Sequence, residues 1–168
     1  MTVTFLLGGA RSGKSRRAQV LAEQASPSRV FIATAEPLDD EMARRIARHQ
    51  ADRAKGWRTV EAPLDLAPAL GEAKPDEAIV IDCLTLWLSN LMHHGRDVED
   101  ETARLCAALP AATKPVFLVS NELGLGLVPE SPIGRAFRDA QGRLNQAVAS
   151  ACDVVEFVAA GLPLRLKG

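Results

Sequence analysis

Eight residues near the amino terminus, Gly8-Gly9-Ala10-Arg11-Ser12-Gly13-Lys14-Ser15, restrict this chain more than any other stretch of it. They match the pattern G-x-x-x-x-G-K-[ST]. An apolar run from Thr2 to Leu7 precedes them and an amphipathic segment from Arg16 to Ala25 comes after, so the pattern sits between an expected strand and an expected helix. In that context the residue types have a chemical reason. Glycines let the backbone bend until several N–H groups converge on one phosphate, and the helix N-terminus adds partial positive charge. Lys14 is expected to reach the β- and γ-phosphates of a nucleotide as a point charge, and the Ser15 hydroxyl to be a ligand for Mg²⁺.

Beyond Ala25 the chain alternates between strand and helix signals. Arg29 to Thr34 reads as a buried strand, Trp57 to Glu61 as a short one, and Ala78 to Asp82 as a strand of four apolar residues ending in a carboxylate. Behind a phosphate-binding loop, an Asp in that place is expected to sit on the Mg²⁺ side of the nucleotide. Helices are expected over about Asp40 to Lys55, Pro63 to Ala73 (interrupted by Pro68), Leu84 to Met92, Glu99 to Leu109 and Gly134 to Ala151. Pro115 to Ser120 is a further strand, and Val154 to Ala159 and Leu162 to Lys167, on either side of Gly161, read as a closing pair. The expected fold class is α/β, with a mostly parallel sheet, helices on both faces and a C-terminal strand pair, in one nucleotide-binding domain over residues 1–168.

Two stretches carry polar residues in unusual places. At about 100° per residue, Met42, Ile46, His49 and Arg53 share one face of their expected helix, so His49 continues an apolar stripe. On geometry alone it is a half-buried structural histidine or a functional one. Asn121 and Glu122 stand at the carboxyl end of a strand and lead into Gly124-Leu125-Gly126, a flexible loop that suits a ligand site. It lacks the third glycine and following helix of a dinucleotide fingerprint. His93 and His94 close a helix with no second ligand cluster beside them, and read as a solvated terminus.

Composition excludes several classes. A net charge of −1 gives no footprint for general nucleic-acid binding. Three widely spaced cysteines argue against a disulfide framework and a zinc site. A strand expected from residue 2 argues against a secretory leader, no apolar run suggests a membrane span, and the expected compartment is the cytoplasm.

The chain resembles the bifunctional adenosylcobinamide kinase/adenosylcobinamide-phosphate guanylyltransferases of cobalamin biosynthesis along essentially its whole length. The resemblance rests on G-G-A-R-S-G-K-S, F-I-A-T-A with D-D-E-M downstream, R-I-x-x-H-x-x-x-R at Arg45 to Arg53, I-D-C-L-T, N-E-L-G-L-G-L-V-P, and F-R-D-x-x-G-R-x-N-Q at Phe137 to Gln146. It implies a RecA-like P-loop domain assembled as a homotrimer, with active sites between subunits. It also implies two reactions: phosphorylation of adenosylcobinamide by ATP or GTP, and transfer of GMP from GTP, through a guanylylated histidine, to adenosylcobinamide phosphate.

The family's histidine falls on His49. Nucleotide contacts are implied at Gly8, Gly9, Ala10, Arg11, Ser12, Gly13, Lys14 and Ser15, at Ala33, Thr34 and Ala35, at Gln50, Ala51, Asp52 and Arg53, and at Glu61 and Asp82. Lys14 is the expected catalytic cation, and Ser15 and Asp82 the expected Mg²⁺ ligands. A plain P-loop small-molecule kinase with a structural His49, and a nucleotide-binding module without chemistry, stay open on the residues alone.

Overall fold

Alternation within the strands decides which side of the sheet each helix covers. Val3, Phe5 and Leu7 of β1 (Val3–Gly8) pack to one side with Ile79 and Ile81 of β4 (Glu77–Asp82), while Leu6, Ala78 and Val80 pack to the other. Both sets are buried, which is why these segments read as continuous apolar runs. In this computed structural model, which describes residues 2–36 and 55–168, β2 (Ser28–Ala33), β3 (Trp57–Glu61), β5 (Val116–Asn121), β6 (Val154–Ala159) and β7 (Leu162–Lys167) complete a seven-stranded sheet in the order β3-β2-β4-β5-β1-β6-β7. All neighbours are parallel except the β6–β7 hairpin. The expected fold class is the one observed.

The larger core lies under α2 (Leu66–Gly71), α3 (Leu84–His93), α4 (Val98–Ala108) and α5 (Pro132–Ala151), where Trp87, Leu88, Leu91, Leu105, Leu144 and Val148 meet the sheet. The other face holds α1 (Lys14–Ala25), which presents Ala18 and Ala22 to Leu6, Val80 and Val119. Small residues there let the helix lie close to the strands and aim its first turn at their carboxyl ends. The helix expected over about Asp40 to Lys55 falls almost wholly outside the described residues, and with it His49, Gln50, Ala51, Asp52 and Arg53.

Three details depart from the sequence reading. Pro68 lies inside α2 rather than interrupting it, because it occupies the first turn, where its missing N–H has no intrahelical partner. The α2 helix is correspondingly shorter than the expected Pro63–Ala73 span. α5 begins at Pro132, two residues early: Ser131 caps it by accepting from the Gly134 N–H at 3.1 Å, and the proline takes the first helical position.

Helix α1 is tied to the hairpin by a charge cluster. The Arg17 guanidinium donates from Nε and Nη2 to the two Glu156 carboxylate oxygens at 3.0 Å each, and Arg165 on β7 approaches the same carboxylate at 3.4 Å. The Arg17 hydrogen bonds hold the Glu156 carboxyl below the usual carboxylate range, against the effect of its burial. A depressed native pKa adds stability that is present above the unfolded value and lost as pH falls through the folded one. Glu156→Gln is therefore expected to cost about 2 kcal/mol at neutral pH, since it breaks a charge-assisted fork onto a buried group. The gap to the unsubstituted chain should narrow under acid, and urea unfolding at neutral pH and again in acid checks it.

Candidate nucleotide site

Five strands deliver their carboxyl ends to one edge of the sheet. Glu61, Ala33 and Asp82 stand in register on β3, β2 and β4, and Gly8 is paired with Asn121 across β1 and β5. In an open parallel sheet this edge, where the strand order reverses, is where ligands bind. Gly8 to Ser15, Asp82, Ala33 to Ala35 and Glu61 all fall on it. Glu61 and Asp82 lie two strand spacings apart, about 10 Å, on either side of Ala33.

The loop between β1 and α1 is shaped by three backbone requirements. A Cβ on Gly8 would strike the carbonyl oxygen of Val158 and lie 2.6 Å from Ser12 Oγ, so the loop leaves β1 where only glycine fits. Gly13 has φ of +98° and stands at the N-cap of α1, and a Cβ there would come within 3.1 Å of the Gly161 Cα. Arg11 also sits in the left-handed region, at φ of 54°. The turn is closed by the Ser12 N–H on the Gly9 carbonyl at 3.3 Å, and the Gly161 N–H donates to the Ser12 carbonyl at 2.8 Å. The hairpin turn of β6–β7 thus braces the phosphate loop from behind.

Lys14 is buried, and its ammonium donates to the Gly9 carbonyl at 2.9 Å, arching back over the loop. Burial holds its pKa below the usual lysine value, while the Asp82 carboxylate acts in the opposite direction. A buried cation at this glycine-rich loop and the N-terminus of α1 is suited to an anion. Ser12 Oγ is enclosed with no hydrogen-bond partner among the described residues. Ser15 is half-buried in the first turn of α1. A hydroxyl and a carboxylate flanking a phosphate cradle are hard oxygen donors of the kind that Mg²⁺ takes one or two of beside phosphates and waters, so Ser15 and Asp82 fit that ion by donor type.

Thr34 and Cys83 clasp the ends of β2 and β4 together. The Thr34 hydroxyl accepts from the Cys83 N–H and donates to the Cys83 carbonyl, both at 2.8 Å. Burial and the nearby Asp82 charge push the Cys83 thiol up to about 11, so it stays a thiol at neutral pH. One step back, the Asn90 side-chain amide donates to the Thr34 carbonyl at 2.7 Å and to the Pro63 carbonyl at 3.0 Å, fixing the segments that leave β2 and β3. On the other side of the site, a buried network fixes the end of β5. Ser120 donates to Asn145 Oδ1 at 2.8 Å, Gln141 donates to both, and Asn145 Nδ2 holds the Asn121 carbonyl at 3.1 Å.

The clasp role of Thr34, the holds made by Asn90 and Gln141 and the bracing role of Gly161 lie outside the expectations drawn from the sequence. Only Asn90 carried a readable signal, a lone amide on the buried side of the Leu84–Leu91 apolar run. The His93–His94 pair is exposed at the end of α3, as expected of a solvated terminus, with His94 Nε2 3.2 Å from a Glu36 carboxylate oxygen.

Comparison with known proteins adds two kinds of likeness. A family described as "Cobinamide kinase / cobinamide phosphate guanyltransferase" matches residues 4–166. The chain is 46% identical over 167 residues to the bifunctional adenosylcobalamin biosynthesis protein CobP of Pseudomonas aeruginosa, covering 98% of this chain and 96% of that one. It is 40% identical over 179 residues to the bifunctional adenosylcobalamin biosynthesis protein CobU of Salmonella typhimurium, covering 97% and 98%. Among solved structures, an ATPase from the type III secretion system of pathogenic bacteria aligns with TM-score 0.58 at 12% identity, over 98% of this chain and 56% of that one. The flagellar accessory protein FlaH of Methanocaldococcus jannaschii aligns with TM-score 0.54 at 13% identity, over 99% and 78%. At such identities the structural neighbours speak for the fold alone, a P-loop NTPase fold of the RecA-like kind.

Proposed function

The chain belongs to the cobinamide kinase / cobinamide phosphate guanyltransferase family, and from that premise we propose which of its residues carry the two reactions. The enzyme phosphorylates adenosylcobinamide with ATP or GTP and then transfers GMP from GTP to the product. The observation that carries the reading is one edge of sheet that gathers the phosphate loop, the buried Lys14 and Asp82.

In the kinase step the hydroxyl oxygen of adenosylcobinamide bonds to the γ-phosphorus, its proton is released, and the nucleoside diphosphate leaves. Lys14 and the N–H groups of Gly8 to Ser15 bind the phosphates and take up the charge that develops on the leaving group. In the second reaction the neutral imidazole of His49 bonds to the α-phosphorus of GTP and pyrophosphate leaves. A phosphate oxygen of adenosylcobinamide phosphate then displaces the imidazole, the N–P bond breaks, and adenosylcobinamide-GDP is formed. Gln50, Ala51, Asp52 and Arg53 are proposed to hold the guanine nucleotide beside that histidine, with Ala33 to Ala35 and Glu61 at the base and ribose. Ser15 and Asp82 would hold Mg²⁺, which would supply charge neutralisation at the phosphates.

Incubation of the protein with adenosylcobinamide and ATP, and then with GTP, tests the activity. The corrinoid should gain first a phosphoryl and then a guanylyl group by mass. A corrinoid unchanged by either nucleotide would remove the proposal. Asp82→Asn keeps the shape of the side chain and removes its charge, so the Mg²⁺ concentration for half-maximal rate should rise several-fold and turnover should fall by roughly tenfold or more. An unchanged Mg²⁺ dependence with normal turnover would place the metal elsewhere.

The protein is proposed to work in the cytoplasm as a homotrimer on these small molecules, without nucleic acid, as one domain. Leu162, Leu164 and Leu166 support a subunit contact: they alternate along the edge strand β7 and are each more than half exposed. No helix among the described residues is long and apolar enough to cross a membrane.

A further inference from the structure

The loop between β5 and α5 combines a tightly fixed backbone with apolar side chains left in solvent. It leaves β5 beside the phosphate loop, where the Glu122 N–H donates to the Gly8 carbonyl at 3.1 Å. Its backbone is then pinned from the first turns of α5. Arg138 Nη2 donates to the Gly124 carbonyl at 2.7 Å, and Arg135 Nη1 donates to the Pro129 and Glu130 carbonyls at 3.1 and 2.6 Å. The Gly124 N–H in turn donates to the Glu122 carboxylate. Yet Leu125 is 82% exposed, Leu127 97%, Val128 67% and Ile133 74%. A chain that commits two guanidinium groups to holding four large apolar side chains in water, next to a nucleotide site, is presenting a binding surface.

A nucleotide does not match that surface, because its phosphates and ribose are polar and its phosphates are provided for by Gly8 to Ser15. The acceptor does. Resting on the function proposed above, the kinase acceptor is a corrinoid: a broad macrocycle with an aliphatic rim and carboxamide arms, reached through a hydroxyl on one arm. The macrocycle is too wide to enter between the strand ends, so it must rest on the surface adjoining the phosphate loop while the arm reaches the γ-phosphate. The loop begins at that position.

We propose that Leu125, Leu127, Val128 and Ile133 form the platform that holds the corrinoid macrocycle, and that they set the specificity for the acceptor without touching the nucleotide. The double variant Leu125→Ser/Leu127→Ser changes two exposed side chains and leaves every hydrogen bond described above in place. Its KM for adenosylcobinamide should rise about tenfold or more, and retention of the coloured corrinoid by the protein in co-sedimentation should weaken to the same extent. Its KM for ATP, its affinity for a fluorescent nucleotide and its mass by light scattering should match those of the unsubstituted chain. A corrinoid affinity unchanged in the variant would overturn the assignment. A variant that loses its assembled mass would overturn it as well, by showing the patch to be a contact between copies of the chain. If the unsubstituted chain itself neither binds nor phosphorylates adenosylcobinamide, the functional reading fails and this inference with it, a result distinct from an active enzyme indifferent to the two leucines.

Discussion

Lys14→Ala is expected to slow both phosphorylation of adenosylcobinamide and guanylylation of the enzyme by roughly a hundredfold, the worth of about 3 kcal/mol of transition-state stabilisation. The cause is electrostatic. Lys14 is buried, its pKa is held down by desolvation, and its ammonium arches over the loop to the Gly9 carbonyl. Its charge costs free energy in the empty site and is stabilised when phosphate arrives, so the interaction strengthens as negative charge builds on the departing diphosphate or pyrophosphate. The same desolvation limits the damage to the fold. Removing a desolvated cation leaves the Gly9 carbonyl short of a donor, about 1 kcal/mol, and takes a positive charge from beside Asp82, losses offset by the relieved desolvation, so thermal unfolding should shift little while both rates collapse. Steady-state kinase assays and labelling from GTP, run on one preparation, check this. If either activity persists near its original rate, the two reactions do not share one phosphate cradle.

Much of this site is legible in the sequence because its chemistry depends on backbone shape, and backbone shape constrains residue type. Gly8 and Gly13 are glycines because a Val158 carbonyl and a left-handed turn leave no alternative. Asp82 is legible for a similar reason, as a carboxylate ending four apolar residues has to emerge at the sheet's edge. Burial on both faces makes β1, β4 and β5 conspicuous. Partnerships across long separations escape such reading. The Thr34–Cys83 clasp and the hold of Asn90 on two loops join residues 49, 56 and 27 positions apart, and no local pattern encodes such pairings. The hairpin turn reads as mere closure, whereas Gly161 braces the Ser12 carbonyl. That contact depends on β6 lying beside β1, a matter of strand order that periodicity cannot supply. Pro68 misleads because its effect depends on where the helix begins, and one turn further into a helix the same residue would break it.

The separation of the two chemistries falls on His49. Transfer of a γ-phosphoryl group to a substrate hydroxyl needs no enzyme nucleophile, whereas the proposed guanylyl transfer passes through a covalent His49–GMP adduct. His49→Asn keeps a polar side chain of similar reach and removes the nucleophilic nitrogen, so it should abolish the adduct and leave much of the kinase activity. A purely structural histidine predicts something else: a stability loss of about 1 kcal/mol with both activities falling together. The direct measurement is incubation with α-labelled GTP and then denaturing electrophoresis, on the unsubstituted chain and on His49→Asn in parallel. A labelled band is expected in the first, lost in acid and stable in alkali as a phosphoramidate is, and no band in the second while it still phosphorylates adenosylcobinamide. Normal GMP labelling of a folded His49→Asn protein would contradict the assignment of the nucleophile.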